Sequence, residues 1–420
     1  MVKCIRAYLI LLVFVFAASI SGCQQQKSIQ AFEAKTESPS QLSMEQKLED
    51  FEYMYKVLEE NYPFFEVNKR MNGIDWLANK DIYKNRINMA MTEQEYKDAL
   101  DWILSDLNND HTGIIGKPYY NFLRAATEPE KEKWMPWWEQ LNKESAVKRN
   151  ANVNEQGKTT SANDNNAKYI TLNNIDAKLL RYKKVAYLGV KKLNKLNIES
   201  DMKIIKPFLE SIKDYDALII DIRQNGGGSS YYWSEHIVPM LINKPIKWTK
   251  YFVYRGGTFS EPFIKSLRGT GFESLKPIEE FAKEGLTKAP PEILKDYKYY
   301  INAEEIIQPK DSVNFRGKIY MLVDSEVYSS SEMWASFAKS TGFATLVGEK
   351  TGGDGIGQDP LICTLPNSGY VFRFPHVMGL TEDGSCNEEH KTEPDIKVPA
   401  KKTEDVSQDE AIQYVLKLYQ

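Results

Sequence analysis

The sequence DIRQNGGG at residues 221–228 directly follows the apolar run ALII at residues 217–220, and this succession decides the fold. A short continuous apolar run bounded by a turn signal predicts a fully buried strand. Three glycines at the end of a strand let the backbone approach a ligand closely and point amide groups at it. We therefore expect a strand, a site-lining loop and a helix in succession.

A second segment of the same kind lies about a hundred residues later. The sequence SSSE at residues 329–332 follows the apolar run IYMLV at residues 319–323. A serine at a helix start lies where backbone N–H groups and the helix dipole favour negative charge. A hydroxyl nucleophile beside an amide-lined hole is the equipment for acyl transfer. The plain alternative is a capping box, which requires only helix geometry.

Predicted strands and helices alternate along the chain, and this order predicts an α/β fold with crossover connections. Two helices are predicted before this region, over residues 44–62 and 92–107, from apolar residues at helical spacing. The α/β part is predicted to contain strands at 185–190, 217–221, 247–255, 318–323 and 344–347, helices at 202–213, 230–241, 331–340 and 409–418, and paired strands within 361–374. Residues 257–310 form an insertion without a clear pattern.

The two segments together resemble the C-terminal processing protease family, which includes the tail-specific proteases and the tricorn core protease. Two further motifs of that family follow in order, GEKTGG at residues 348–353 and PDI at residues 394–396. The match extends from about residue 185 to residue 398. The resemblance implies a ClpP/crotonase-like catalytic domain with a mixed sheet, preceded by a small N-terminal helical domain.

The resemblance also implies roles for individual residues. Ser329 is the expected nucleophile, because the family's attacking serine stands three residues before the glutamate of its motif. The amide of Ser330 would be one oxyanion donor, and Gly227 and Gly228 would supply the other. A mobile turn is the alternative for the glycines, although a plain turn seldom requires three of them.

The base cannot be read from the Ser-Lys members of the family, since Asp354 occupies the position of their lysine. Lys350 would serve only if it reached across from a displaced position. The tricorn-like branch uses Ser-His-Glu, with the histidine in a loop after the N-terminal helices. His111, in the sequence DHT at residues 110–112, fits that setting and is the expected base.

The third member of such a triad is a carboxylate that orients the base. Counting back six residues from Pro394, by analogy with the tricorn-like branch, gives Glu388. Its neighbour Glu389 is the nearest alternative, because the glycines that would fix the register are missing. A solvated acidic turn is the plain reading of this segment.

The N-terminus resembles a bacterial lipoprotein leader. A basic start is followed by an apolar run at residues 9–18, too short to span a bilayer comfortably, and then by ISGC at residues 20–23. Cleavage before Cys23 and lipidation of its sulfur would attach an exported chain to the cell envelope, at the outer membrane or in the periplasm of a Gram-negative cell. An ordinary secretory signal is the alternative.

The sequence divides into a leader at 1–22, a tether at 23–43, a helical domain at 44–125, a linker or insertion at 126–181 and a catalytic domain at 182–420. Residues 145–168 are polar and predict an exposed loop, and the interval between 111 and 182 is too short for the PDZ module of many relatives. The net charge of −4 gives no reason to expect nucleic acid as a partner. The spacing of Cys and His favours no metal. Cys363 and Cys386 could pair or remain thiols.

These expectations combine into an exported, lipid-anchored serine peptidase that needs no cofactor. The family resemblance implies a polypeptide substrate bound in extended form near its C-terminus. The alternative is a catalytically silent protein that binds peptides or lipophilic molecules on the same fold, as a retinoid-binding relative does. An esterase is a weaker third reading.

Overall fold

The computed structural model describes residues 42–151, 171–403 and 405–420. Its strands are β1 (Gly113–Ile114), β2 (Ile175–Arg181), β3 (Val185–Val190), β4 (Ala217–Asp221), β5 (Ile246–Tyr254), β6 (Lys276–Pro277), β7 (Tyr299–Ile307), β8 (Lys318–Val323), β9 (Thr345–Gly348), β10 (Leu361–Thr364), β11 (Val371–Phe374), β12 (Met378–Leu380) and β13 (Ile396–Lys397).

The α-helices follow the same chain order. They are α1 (Met44–Asn61), α2 (Phe65–Asn72), α3 (Lys80–Asn88), α4 (Glu93–Ser105), α5 (Lys117–Thr127), α6 (Met135–Leu141), α7 (Glu144–Asn150), α8 (Ile198–Ser211), α9 (Tyr231–Ser234), α10 (Val238–Leu241), α11 (Glu261–Arg268), α12 (Ile293–Asp296), α13 (Ser330–Thr341), α14 (Asn387–His390) and α15 (Glu410–Lys417).

A six-stranded mixed sheet forms the centre, in the order β13-β9-β8-β4-β3-β2. All neighbours are parallel except β2 and β3. Every residue of β3 and β4 is buried, because α15 covers one face and α8 and α13 cover the other. Continuous apolar runs are typical of strands covered on both faces. The predicted α/β organisation with a mixed sheet and a helical N-terminal region is confirmed.

Two smaller antiparallel sheets join this centre. One has the order β12-β5-β7-β6, and it takes β6 and β7 from the insertion at 257–310 that the sequence pattern left unassigned. The other has the order β1-β11-β10. In it Gly113 pairs with Arg373, so the loop that follows α4 is fixed to the C-terminal half of the chain.

The N-terminal helices begin with strong local signals. Ser43 and Thr92 each form a capping box, at the starts of α1 and α4. Both helices bury their apolar faces in a shared core, as their periodicity predicts. Contacts join residues Gln41–Gln420 into one compact unit, and the domain boundaries proposed from the sequence stay predictions.

Two predicted elements differ in the structure. The helix expected at 230–241 is split into α9 and α10, and Pro239, which lacks an N–H donor, stands in the first turn of α10. The stretch at 145–168, expected as a loop, begins with α7. The rest of it, from residue 152, and the leader and most of the tether lie outside the described residues.

Arg223 of the DIRQNGGG segment connects the central sheet to the C-terminal helix. Its guanidinium donates to Asp221 Oδ2 and to Asp409 Oδ2, each at 2.8 Å, and all three side chains are fully buried. Asp409 also caps α15 by accepting from the amide of Ile412. One buried guanidinium therefore contacts two buried carboxylates at the end of β4, and the partly exposed Lys402 lies 3.5 Å from Asp221 Oδ2.

Replacing Arg223 by leucine should destabilise the fold, because two buried carboxylates would lose their only guanidinium partner. We expect a loss of about 3–5 kcal/mol in the free energy of unfolding, measured by denaturant titration. The control is Lys203→Ala, which removes an exposed ion pair to Glu199 and should leave stability nearly unchanged. Equal small effects in both variants would contradict this role for Arg223.

Candidate active site

Ser329 stands on a sharp turn between β8 and α13. Its backbone has φ 58° and ψ −127°, a conformation that non-glycine residues adopt rarely and at a cost in strain. Its side chain makes no capping hydrogen bond to the helix that follows. The capping-box reading of SSSE therefore does not describe the structure, and the Ser329 hydroxyl is turned toward His111 instead.

His111 lies in the loop that follows α4, and its ring joins two segments distant in sequence. Nε2 lies 2.9 Å from Ser329 Oγ, across a separation of 218 residues. Nδ1 lies 2.7 Å from Asp354 Oδ2. A carboxylate accepts only, so Nδ1 carries the proton and Nε2 is free to accept the proton of the serine hydroxyl.

Asp354, and not Glu388, contacts the imidazole. The spacing from Pro394 predicts Glu388 at this position, whereas Asp354 is expected only to replace a lysine. Gly353 and Gly355 explain the difference, because they let the loop after β9 lie against the serine turn. Gly353 O accepts from Ser329 N at 3.3 Å, and a Cβ on Gly355 would lie 2.5 Å from Ser329 O.

The signal for Asp354 was present in the sequence. The position it occupies belongs to a base that reaches the nucleophile in the Ser-Lys relatives, so any polar side chain there is close to Ser329. The side chain of Asp354 is only 4% exposed, and Oδ2 also accepts from Asn109 Nδ2 at 2.9 Å.

Glu388 lies near the site but does not contact the imidazole, because Asn109 lies between them. It lies in α14, is buried, and accepts from Asn109 Nδ2 at 3.1 Å. Burial, and then the neighbouring charge of Asp354, raise the pKa of Glu388 well above its ordinary value. Glu389 points elsewhere and pairs with Arg70 at 2.7 Å. Lys350 pairs with Glu393 on the surface.

The glycine loop packs directly against the serine turn. A Cβ on Gly227 would lie 2.8 Å from Ser329 Cβ and 2.9 Å from Ser330 N. The amide of Gly227 already donates to Asn225 Oδ1 at 3.0 Å. The carbonyl of Gly227 and the amide of Ser229 form the bridge to Leu193, so the amide of Gly228 points to the opposite side. Within the part of the chain that the structure describes, the amides of Gly228 and Ser330 donate no backbone hydrogen bond, so both remain available as oxyanion donors.

Glu332, the last residue of SSSE, does not cap α13 but is buried beneath it. Its Oε1 accepts from Asn387 Nδ2 at 2.7 Å and from Thr392 Oγ1 at 2.6 Å. Burial raises the pKa of this carboxyl to about 7. These contacts attach α13 to the segment carrying Glu388.

Two of the cysteines noted in the sequence lie within the described residues. Cys363 and Cys386 are buried free thiols and form no disulfide with each other. Cys23 lies outside the described residues. In residues 42–151, 171–403 and 405–420 no cluster of His, Cys, Asp and Glu could hold a metal ion. Across these same stretches no helix has the length and apolarity to cross a membrane.

Comparison with family models matches two parts of the chain. Residues 184–398, just over half of the chain, match the family model of peptidase family S41. Residues 44–104 match the tricorn protease C1 domain. Comparison with curated protein sequences gives no match.

Solved structures share the fold at low sequence identity. A candidate peptidase from Parabacteroides merdae is 19% identical, with a TM-score of 0.56 over 89% of this chain and 96% of that one. Mature CPAF complexed with lactacystin is 14% identical, with a TM-score of 0.55 over 90% of this chain and 98% of that one.

Replacing Gly227 by alanine should disturb the serine turn, because the new Cβ would overlap Ser329 and Ser330 and φ is +98°. We expect a loss of about 2–4 kcal/mol in the free energy of unfolding. Gly285→Ala is the matched control, since Gly285 has φ +70° but no atom within 4 Å of the added Cβ. Gly285→Ala should lose only the free energy of unfolding that a left-handed backbone costs an alanine, about 1–2 kcal/mol. Equal losses would show that the close approach at Gly227 is unimportant.

Proposed function

Because the chain belongs to peptidase family S41, we propose that it is a serine peptidase in which Ser329 is the nucleophile, His111 the base and Asp354 the carboxylate that orients the base. One observation carries the proposal. Three side chains form a continuous series, with 2.9 Å from Ser329 Oγ to His111 Nε2 and 2.7 Å from His111 Nδ1 to Asp354 Oδ2. His111 is separated in sequence from these partners by 218 and 243 residues.

The first step follows from the hydrogen bonds. His111 Nε2 accepts the proton of Ser329 as Oγ attacks the carbonyl carbon of a peptide bond, and the carbonyl oxygen becomes an oxyanion. Asp354 stabilises the imidazolium that forms and keeps its proton on Nδ1. The imidazolium then gives the Nε2 proton to the leaving amine, and an acyl-enzyme remains on Ser329.

The oxyanion is stabilised by backbone amides in this mechanism. The Gly228 and Ser330 amides are the donors that the loop geometry favours, since the Gly227 amide is already bonded to Asn225. Gly227 contributes space, because any side chain there would overlap the serine turn. Water, deprotonated by His111, then attacks the acyl carbon and releases Ser329.

The proposed substrates are exported proteins or peptides, which are bound in extended form and cleaved near their C-termini. Main-chain hydrogen bonds to a strand edge would supply the affinity, with weak side-chain preference. The competing proposal is a silent binding protein on the same fold. The short His111–Ser329 contact favours the enzyme, because peptide binding alone does not require a base on this serine.

A serine-reactive fluorophosphonate probe tests the proposal. The wild-type protein should be labelled, and Ser329→Ala should not, because the attacking oxygen is absent. His111→Ala should slow labelling by about a thousandfold or more, since Ser329 loses its base. Lys350→Ala is the control and should label at the wild-type rate. Undiminished labelling of Ser329→Ala, or loss in Lys350→Ala alone, would contradict the assignment.

Membrane attachment through Cys23 is a separate proposal that rests on the sequence ISGC at residues 20–23. In cells fed radiolabelled palmitate, the wild-type protein should carry label and fractionate with membranes. Cys23→Ser should carry none and appear in the soluble fraction, because acyl chains supply the anchoring energy. Ser329→Ala should behave as wild type. An unlabelled, soluble wild-type protein would refute lipidation.

A further inference from the structure

Asn109 lies beside the site without touching the serine, and its amide orientation is fixed. Its Oδ1 accepts from the His111 backbone N–H at 3.0 Å and from Thr112 Oγ1 at 3.1 Å. A backbone N–H can only donate, so the oxygen of the amide must face His111. The side-chain NH₂ group of Asn109 therefore faces the other way, toward the carboxyl groups.

That NH₂ group donates hydrogen bonds to two different carboxyl groups. Nδ2 lies 2.9 Å from Asp354 Oδ2 and 3.1 Å from Glu388 Oε1. Asn109 itself is 7% exposed, so water competes little for these bonds. One amide thus connects the loop that carries His111, the loop that carries Asp354 and the helix that carries Glu388.

Two buried carboxyls this close to one amide cannot both remain ionised, because like charges repel in a poorly solvated place. Asp354 has the imidazole as its partner and keeps its charge. In the described part of the chain, no cationic side chain lies within hydrogen-bond distance of Glu388, and its buried Oε2 has no hydrogen-bond partner.

The other groups around Glu388 do not change this balance. The Asp110 carboxylate opposes ionisation of Glu388, and Lys391 favours it only at a distance. Tyr62, Tyr328 and Cys386 also face it, and burial raises the pKa of each of these three groups, so they are neutral. Arg70, the nearby guanidinium, is paired with Glu389 and Glu292.

We infer that Asn109 is a positioning residue that holds the Asp354 carboxylate on His111 Nδ1, and that Glu388 completes this arrangement as a neutral acid. The inference rests on the proposed function for its catalytic consequences. It assigns the two acidic side chains opposite states: Asp354 is the charged partner of the base, and Glu388 is an uncharged neighbour that accepts one hydrogen bond.

Glu388 should then make stability depend on pH in a defined direction. An ordinary glutamate has a pKa near 4.3 in an unfolded chain, and burial raises the pKa of Glu388 in the folded chain. The stabilisation from this proton is fully present below the unfolded pKa and is lost as pH rises toward the folded pKa. Glutamine at position 388 has the same shape and never ionises.

Thermal unfolding of wild type, Glu388→Gln and the control Glu326→Gln between pH 4 and pH 8 tests the neutral acid. Glu326 is an exposed carboxyl. Glu388→Gln should unfold at a Tm about 2 °C or more above wild type at pH 8, with no gap near pH 4. The control should show no pH-dependent gap. A wild type more stable than Glu388→Gln at pH 8 would overturn the inference.

Peptide hydrolysis near neutral pH tests the positioning role. Asp354→Asn should lower kcat by about a thousandfold or more. Glu388→Gln should lower it by less than about threefold, because it replaces one neutral acceptor by another. Asn109→Ala should lower kcat by roughly tenfold to a hundredfold with KM little changed. Asn109→Asp should be worse, because it replaces the donor to Asp354 and Glu388 by an acceptor and places a further carboxyl group beside the Asp354 carboxylate.

The order of the two Asn109 variants separates positioning from simple support of the loop. Asp retains the Oδ1 acceptor for the His111 amide, so a purely structural role would make Asp the milder change. An Asp variant milder than Ala, or a Glu388→Gln variant as impaired as Asp354→Asn, would overturn the inference. A wild type that neither hydrolyses peptides nor labels at Ser329 would instead refute the proposed function, and the Tm comparison would still decide the state of Glu388.

Discussion

The left-handed backbone of Ser329 is the constraint on which the rest of the site depends. A non-glycine residue with φ 58° and ψ −127° carries strain of about 1–3 kcal/mol, which the surrounding structure must offset. Two glycine-containing loops do so by packing within contact distance of the turn, one after β4 and one after β9. This backbone conformation directs the Ser329 hydroxyl away from α13 and toward His111.

Strong packing behind the turn makes this strain tolerable. The strands that precede the two loops and the serine lie side by side in the central sheet, as β4, β8 and β9. Because they are parallel, their carboxyl ends meet at one edge, and the loops leaving them converge there. Arg223 holds the end of β4 in place through its ion pairs with Asp221 and Asp409. The contacts that hold the carboxyl ends of these strands in place therefore also hold the loops of the site.

Most of the fold was predictable from the sequence, and the site was predictable in part. Ser329 and His111 were named from short motifs, and the structure brings them together. Asp354 was missed as a partner of His111, because its placement depends on how closely a loop approaches another loop across the site. Spacing along the chain does not give that distance, and the sequence points to Asp354 only through its position in place of the lysine of the Ser-Lys relatives. The same limit applies to Asn109, whose bonds reach residues 245 and 279 positions away.

His111 donates its Nδ1–H in a hydrogen bond to Asp354 and not to Glu388. Proton NMR of protein labelled with ¹⁵N-histidine measures this bond directly, as a strongly downfield signal from an imidazole N–H held by a carboxylate. We expect this signal in wild type and in Glu388→Gln, and we expect it to be absent in Asp354→Asn. A signal that survives in Asp354→Asn and disappears in Glu388→Gln would contradict it.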